Sequence, residues 1–336
     1  MDELPFVAME RVISLLPEDS RGIHKHFTPV GGLWKTAAAE FQANYNSIEV
    51  LILPYKNSMS VWKVWPSRFG GEPFEEADQY TLDLSITISW REYPRSNVER
   101  DPIDEKVLKR IAGFPTRGGC HSNFRAEDLP LRENEAFDFG GLLRNLRASF
   151  ASVTMSGCVG YSQEIEEFLR NFIPKRTCES FSFTEVELTP TCVDLLMDAW
   201  DVWTPYNQVK TGDYYLCLEL VDCSQTLTKA HISRILNGWS EGRGGRRLQM
   251  SALDYPDVDA FCKAFEMEGP EWEVRYNDIF LGTASLTSPE IKNPGHRVTN
   301  RKTGFSIKVL YFSYDGTGSE RMELKILRQK ALVNGL

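Results

Sequence analysis

No apolar run in this sequence is long enough to cross a bilayer, which takes about 20 mostly apolar residues as a helix. The opening MDELPFVAMERV is acidic and amphipathic, so neither a secretory signal nor a transit peptide is expected there. A basic surplus is also missing. The formal net charge is −9, which argues against a general nucleic-acid binder. The seven cysteines (120, 158, 178, 192, 217, 223 and 262) make no regular framework and predict free thiols in a reducing compartment, cytosol or nucleus. No phosphate-binding glycine loop, dinucleotide fingerprint, nucleophile elbow or zinc-binding helix motif occurs. Cys120-His121 is the one adjacent Cys/His pair, and a zinc site needs a second pair that the sequence does not offer. The sequence therefore predicts no catalytic residue, no metal and no cofactor.

Smaller candidates read more simply as solvated surface. His24 and His26 fall on a turn between helices, and Glu72, Glu75, Glu76 and Asp78 on a polar loop. The Arg/Gly run GRGGRR (242–247) could track phosphates, but it equally suits a turn in which glycine supplies unusual dihedrals.

What the chain has is a pattern that comes round four times between 151 and 266. VTMSGC (153–158), FSFTEV (181–186), LELVDC (218–223) and LQMSAL (248–253) each place apolar residues at positions one, three and six. Each is followed by a helical stripe at i, i+3, i+4, i+7, as in Ile165/Phe168/Leu169/Phe172, Val193/Leu196/Met197/Trp200, Ile232/Ile235/Leu236/Trp239 and Val258/Phe261/Cys262/Phe265. One such unit cannot bury its apolar face alone, whereas stacked units share a core. The pattern resembles an irregular leucine-rich repeat with a whole helix on the outer side. An ordinary α/β sheet with similar crossovers would read the same way. The fold class is thus α/β, and the resemblance implies an open solenoid.

Flanking stretches extend the reading. IEVLILP (48–54), SVWKVW (60–65) and TLDLSITI (81–88) predict strands. DPIDEKVLKRIAGF (101–114) predicts a helix with Asp101 as N-cap and Pro102 at its first position. A strand near Phe124 and Ala126 with a helix near 135–147 makes a further unit, giving five or six in all. Near the end, EWEVRYN (271–277) is a candidate strand and 282–304 reads as a long polar loop. GFSIKVLYFSY (304–314) and RMELKIL (321–327) predict a hairpin that caps the last repeat.

At the other end, ELPFVAMERVISLLP (3–17) is an amphipathic helix opened and closed by Leu-Pro pairs, with Met9, Val12, Ile13 and Leu16 on one stripe. FTPVGGLWKTAAAEFQ (27–42) adds Trp34, Ala38 and Phe41 at helical spacing. The two Leu-Pro pairs with a later Trp resemble an F-box. The chain is similar to the divergent F-box proteins of nematodes, which join such a module to irregular leucine-rich repeats. The resemblance implies a substrate-recognition subunit of a cullin–RING ubiquitin ligase. Leu4, Pro5, Met9, Val12, Ile13, Leu16, Pro17 and Trp34 would then face a Skp1-type adaptor. The same stripe would serve equally as an intramolecular lid on a protein-binding scaffold with no ubiquitin role. Three regions are expected: a helical module at 1–45, the repeat array at 46–268 and a capping region at 269–336. Thr154, Thr184, Glu219 and Gln249 are expected to share the strand face opposite the helices and to hold a protein substrate.

Overall fold

The computed structural model describes residues 32–64, 71–73, 81–90, 101–114, 122–129, 137–175, 178, 180–202, 217–241, 247–251, 255–278, 295–314 and 321–328. The stretch 3–17 lies outside these residues, as do His24, His26, Cys120, His121 and Trp203. The chain forms two compact units, Met1–Glu179 and Ser180–Leu336. Their boundary falls inside the stretch 46–268 expected as one array. The N-terminal helix ends at Asn44 and the first strand begins at Asn46, while the last strand, Arg321–Arg328, pairs with Arg247–Ser251.

In the first unit, α1 (Gly32–Asn44) leads into β1 (Asn46–Leu53), a 3₁₀ turn, β2 (Ser58–Val64) and β3 (Gly71–Pro73). Then come β4 (Thr81–Ser89), β5 (Asp101–Pro102), α2 (Glu105–Ala112), β6 (Asn123–Glu127), α3 (Phe139–Asn145), β7 (Ser152–Ser156) and α4 (Ser162–Phe172). Strands β1, β4, β6 and β7 run parallel, each bonded to the next. The antiparallel strand β2 flanks β1 and carries β3 and β5.

The second unit runs β8 (Ser180–Thr184), α5 (Pro190–Val202), β9 (Cys217–Val221), α6 (Lys229–Ser240), β10 (Arg247–Ser251) and α7 (Val258–Ala264). It ends with β11 (Trp272–Asp278), β12 (Gly295–Asn300), β13 (Ser306–Tyr314) and β14 (Arg321–Arg328). Strands β8, β9 and β10 are parallel, and the sheet continues antiparallel through β14, β13, β12 and β11. Both units are mixed α/β.

The periodicity explains the layering. Val153, Met155, Phe181, Phe183, Leu218, Leu220, Leu248 and Met250 are all buried, as are the helix stripes; Phe265 alone is half-buried. Trp200 and Trp239 meet at 5.9 Å between ring centroids, linking two successive helices of the second unit. Strand alternation by itself would turn the sixth residue of each unit outward. Where the turn is described, that residue is returned to the core by a left-handed residue at the fifth position: Asp128, Gly157, Glu185 and Asp222 have φ of 53, 59, 55 and 50°. Leu129, Cys158, Val186 and Cys223 follow them, all buried. The turns are bonded sideways, with Asp128 N donating to Ser156 O at 2.8 Å and Glu185 N to Val221 O at 2.9 Å.

Two local expectations are corrected. The N-cap of α2 is Asp104, whose Oδ1 accepts from Lys106 N at 2.7 Å; Asp101 and Pro102 instead form the short edge strand β5. The stretch 282–304, expected to be a loop, contains β12, which shows one apolar residue inward, the fully buried Val298.

Gly157 tests the turn. A Cβ there would lie 3.0 Å from Asp128 Oδ1 and 3.1 Å from Asp128 Cα, on top of the left-handed φ. Gly157→Ala should cost about 1–2 kcal/mol in urea unfolding, while Glu185→Gly, which relieves the same conformation, should cost far less.

Candidate functional site

Helices cover one face of each run of parallel strands and leave polar side chains on the other. In the first unit that face carries Glu49 beside Ser85, Thr87 beside Arg125, and Arg125 beside Thr154, in strand register. Trp62 pairs with Glu49 from β2. These side chains line a depression of about 360 Å³. Arg125 Nε donates to Glu127 Oε1 at 2.5 Å, so the guanidinium is anchored along its own strand.

In the second unit Ser182, Glu219 and Gln249 stand abreast on β8, β9 and β10. Glu219 is the hub: Oε2 accepts from Ser182 Oγ at 2.8 Å and Oε1 from Gln249 Nε2 at 3.0 Å. The structure therefore brings together Glu219 and Gln249 of the expected set. Thr184 sits one pleat farther along β8, beside the buried Val221, and Thr154 belongs to the other unit. The register equivalent of Glu219 on β8 is Ser182. The signal was in the sequence, because Thr154, Ser182, Glu219 and Gln249 all hold the second position of their units whereas Thr184 holds the fourth.

Of the expected adaptor-facing residues, Trp34 alone is described, and it is 5% exposed. It lies on the buried stripe of α1 with Ala37, Ala38 and Phe41. Just beyond the helix, Tyr45 Oη donates to Asp83 Oδ2 at 2.5 Å, and Ser122 Oγ donates to Asp83 Oδ1 at 3.0 Å. Asp83 is fully buried, so this carboxylate ties the α1–β1 junction to β4 and to the residue preceding β6 instead of meeting a substrate.

The described cysteines are all free. Cys223 Sγ donates to Phe183 O at 3.4 Å, and Cys158 Sγ makes a longer contact, 3.8 Å, to Ala126 O; both sulfurs thus reach a carbonyl of the preceding parallel strand. Burial pushes the Cys158 thiol up to about 12 and the Cys223 thiol to about 11, so neither is poised as a nucleophile. Among the described residues no cluster of three or more His, Cys, Asp or Glu could hold a metal, and no helix is long and apolar enough to cross a membrane. The open faces offer hydroxyl, amide, carboxylate and guanidinium groups, which suit recognition by hydrogen bonds.

No family model matches the chain, and no curated protein or solved structure does. What the chain does is argued from its own geometry.

The thiols give a pH test. An unfolded Cys223 ionises near its ordinary 9.0, whereas the folded thiol keeps its proton to about 11. Between those values the native state binds more protons, so its stability falls as pH rises. Val186 fills the equivalent position in the preceding unit, so Cys223→Val should fold. Its urea midpoint should fall less steeply over that alkaline range, by on the order of 1–3 kcal/mol in stability.

Proposed function

We propose that this chain is a protein-binding receptor built on leucine-rich-like strand–helix units, with its partner held on the open strand face. The observation that supports this best is the recurrence of one device. Phe150-x-x-Val153-x-Met155-x-x-Cys158 fits the leucine-rich pattern, in which an Asn or Cys follows the strand, and Cys178-x-x-Phe181-x-Phe183-x-x-Val186 keeps its apolar spacing with Val in that place. Here that site is a buried Cys at 158 and 223, each reaching a carbonyl of the adjoining strand. Loops and faces positioned by such a scaffold are where repeat proteins bind.

The F-box resemblance of residues 3–17 and Trp34 makes the receptor a substrate-recognition subunit of a cullin–RING ubiquitin ligase. In this reading the N-terminal helices dock a Skp1-type adaptor, the repeats hold a protein substrate, and the catalytic step belongs to other subunits. A second reading, a scaffold with no ubiquitin role, is favoured by the burial of Trp34 and by the Tyr45–Asp83 bond that joins α1 to β4. An α1 built into the first unit in this way fits a cap.

Two measurements separate these readings. Ile13→Asp with Leu16→Asp should abolish co-purification of the Skp1-type adaptor and leave the melting temperature of the isolated chain unchanged. A lowered melting temperature, with no adaptor retained by the unmodified chain, would favour the cap. For the strand face, Ser182→Lys with Gln249→Lys should weaken a captured protein partner by about tenfold, a loss of about 1.4 kcal/mol, because it reverses the polarity around Glu219. Undiminished capture would place the substrate elsewhere.

A further inference from the structure

The depression on the open face of the first unit is a formed cavity whose lining has a chemistry of its own. Its volume of about 360 Å³ falls within the range of pockets that hold small ligands. Strand register builds the lining in two rows, one pleat apart. Leu51, Thr87, Arg125 and Thr154 stand abreast on β1, β4, β6 and β7. In the other row Trp62, Glu49 and Ser85 stand on β2, β1 and β4, and Asn123 pairs with Ser152 across β6 and β7. Neighbouring strands lie about 4.8 Å apart, so hydrogen-bonding groups recur across the depression at close, regular intervals.

The charges of this lining are matched. Arg125 Nε donates to Glu127 Oε1 at 2.5 Å, and Nη2 reaches the same oxygen, so the guanidinium is both held and neutralised along its own strand. A guanidinium has five N–H donors, and the two on Nη1 take no part in that pair. The Arg125 side chain remains 52% exposed. Glu49 is the other charged residue of the lining, which thus holds no surplus of either sign with which to select an ion. Thr87 and Thr154 flank Arg125, both half-buried, and among the described residues nothing bonds their hydroxyls. A hydroxyl gives one hydrogen bond and accepts others, so these groups suit a ligand that does both.

The third observation is apolar. Trp62 lines the depression from the β2 side, half-buried, and the buried Leu51 lies in the adjoining row. A matching ligand has one apolar face for the indole and a rim of uncharged groups that donate and accept. We propose that the depression binds a neutral saccharide, with the C–H face of a sugar ring against Trp62 and its hydroxyls bonded to Thr87, Arg125 and Thr154. An extended peptide is the poorer fit, because strand addition needs a free edge and β1, β4 and β6 are each paired on both sides.

The test uses the full chain with maltose, cellobiose and diacetylchitobiose as probes, read by calorimetry and by saturation-transfer NMR. Ribonuclease B, which carries a glycan, is compared with the sugar-free ribonuclease A. At least one probe should bind with saturation reaching its ring C–H protons, and salt should leave its affinity unchanged. Binding of a disaccharide assigns a free sugar, and capture of ribonuclease B alone assigns a sugar carried by a partner protein. Trp62→Ala should weaken the bound probe by about tenfold or more. Thr87→Val with Thr154→Val keeps the side-chain shape and removes both hydroxyls, with a loss of about tenfold expected. That pair decides the matter should Trp62→Ala lower the melting temperature. No binding of any probe, or equal binding by the two variants, would overturn the proposal. So would equal capture of ribonuclease A, or tighter binding of glucuronate or adenosine than of any probe. These substitutions touch neither the N-terminal stripe nor Ser182 and Gln249, so the inference stands or fails separately from the receptor reading.

Discussion

A short parallel strand with apolar residues at the first and third positions of its unit can hide them only beneath a helix, and the chain must then leave the strand without exposing the next apolar group. The left-handed residue at the fifth position meets both demands. It ends the alternation, turns the sixth residue back to the buried side and points the chain toward the covering helix. Burying each large side chain is worth about 1.5–3 kcal/mol, enough to hold Glu185 and Asp222 in a conformation that costs an ordinary residue about 1–2 kcal/mol. Once helices cover one face, the polar positions of the parallel strands are left on the other. The aromatic core of the first unit shows how tightly the layers engage: Phe124 meets Phe150 at 5.6 Å and Phe168 at 5.7 Å, and Phe168 stacks on Phe172 at 5.2 Å.

Parallel runs must also end. In the first unit β2 closes β1 by antiparallel pairing, and in the second β14 closes β10. β2 is reached from β1 through a short turn, whereas β14 returns to β10 only after α7 and the strands β11, β12 and β13. The price of the second closure is that the sheet continues outward to β11, whose edge is charged by Glu273 and Arg275. Charge on an edge discourages indiscriminate pairing.

Much of this was legible in the sequence because it depends on local period. The stripes of α4, α5 and α6, the strands at 153, 181, 218 and 248, and the final hairpin all follow from spacings of two and of three or four residues. Where one residue carries the signal, periodicity fails: β12 has a single buried apolar side chain, Val298, and reads as a loop. The α2 cap was misread because Asp101-Pro102 and Asp104 are both plausible starts, and only the bonds to Lys106 and Val107 decide between them. Cross-strand register outside the recurring units was illegible. Nothing in the chain order places Arg275 beside Arg297 and Lys308, because no recurring position marks those neighbours.

The same distinction narrows the N-terminal question. Trp34, Ala37, Ala38 and Phe41 recur at i, i+3, i+4 and i+7, and all four are already buried, so the apolar stripe of α1 is consumed within the chain. A helix has one such stripe to give. Trp34 therefore belongs to the interior. The spacing of 3–17 predicts a short helix, and the stripe of a helix that short gains too little from helix formation alone to stand bare in water. Its cover is either an adaptor or the chain itself, and the fate of that one stripe separates a ligase receptor from a repeat scaffold.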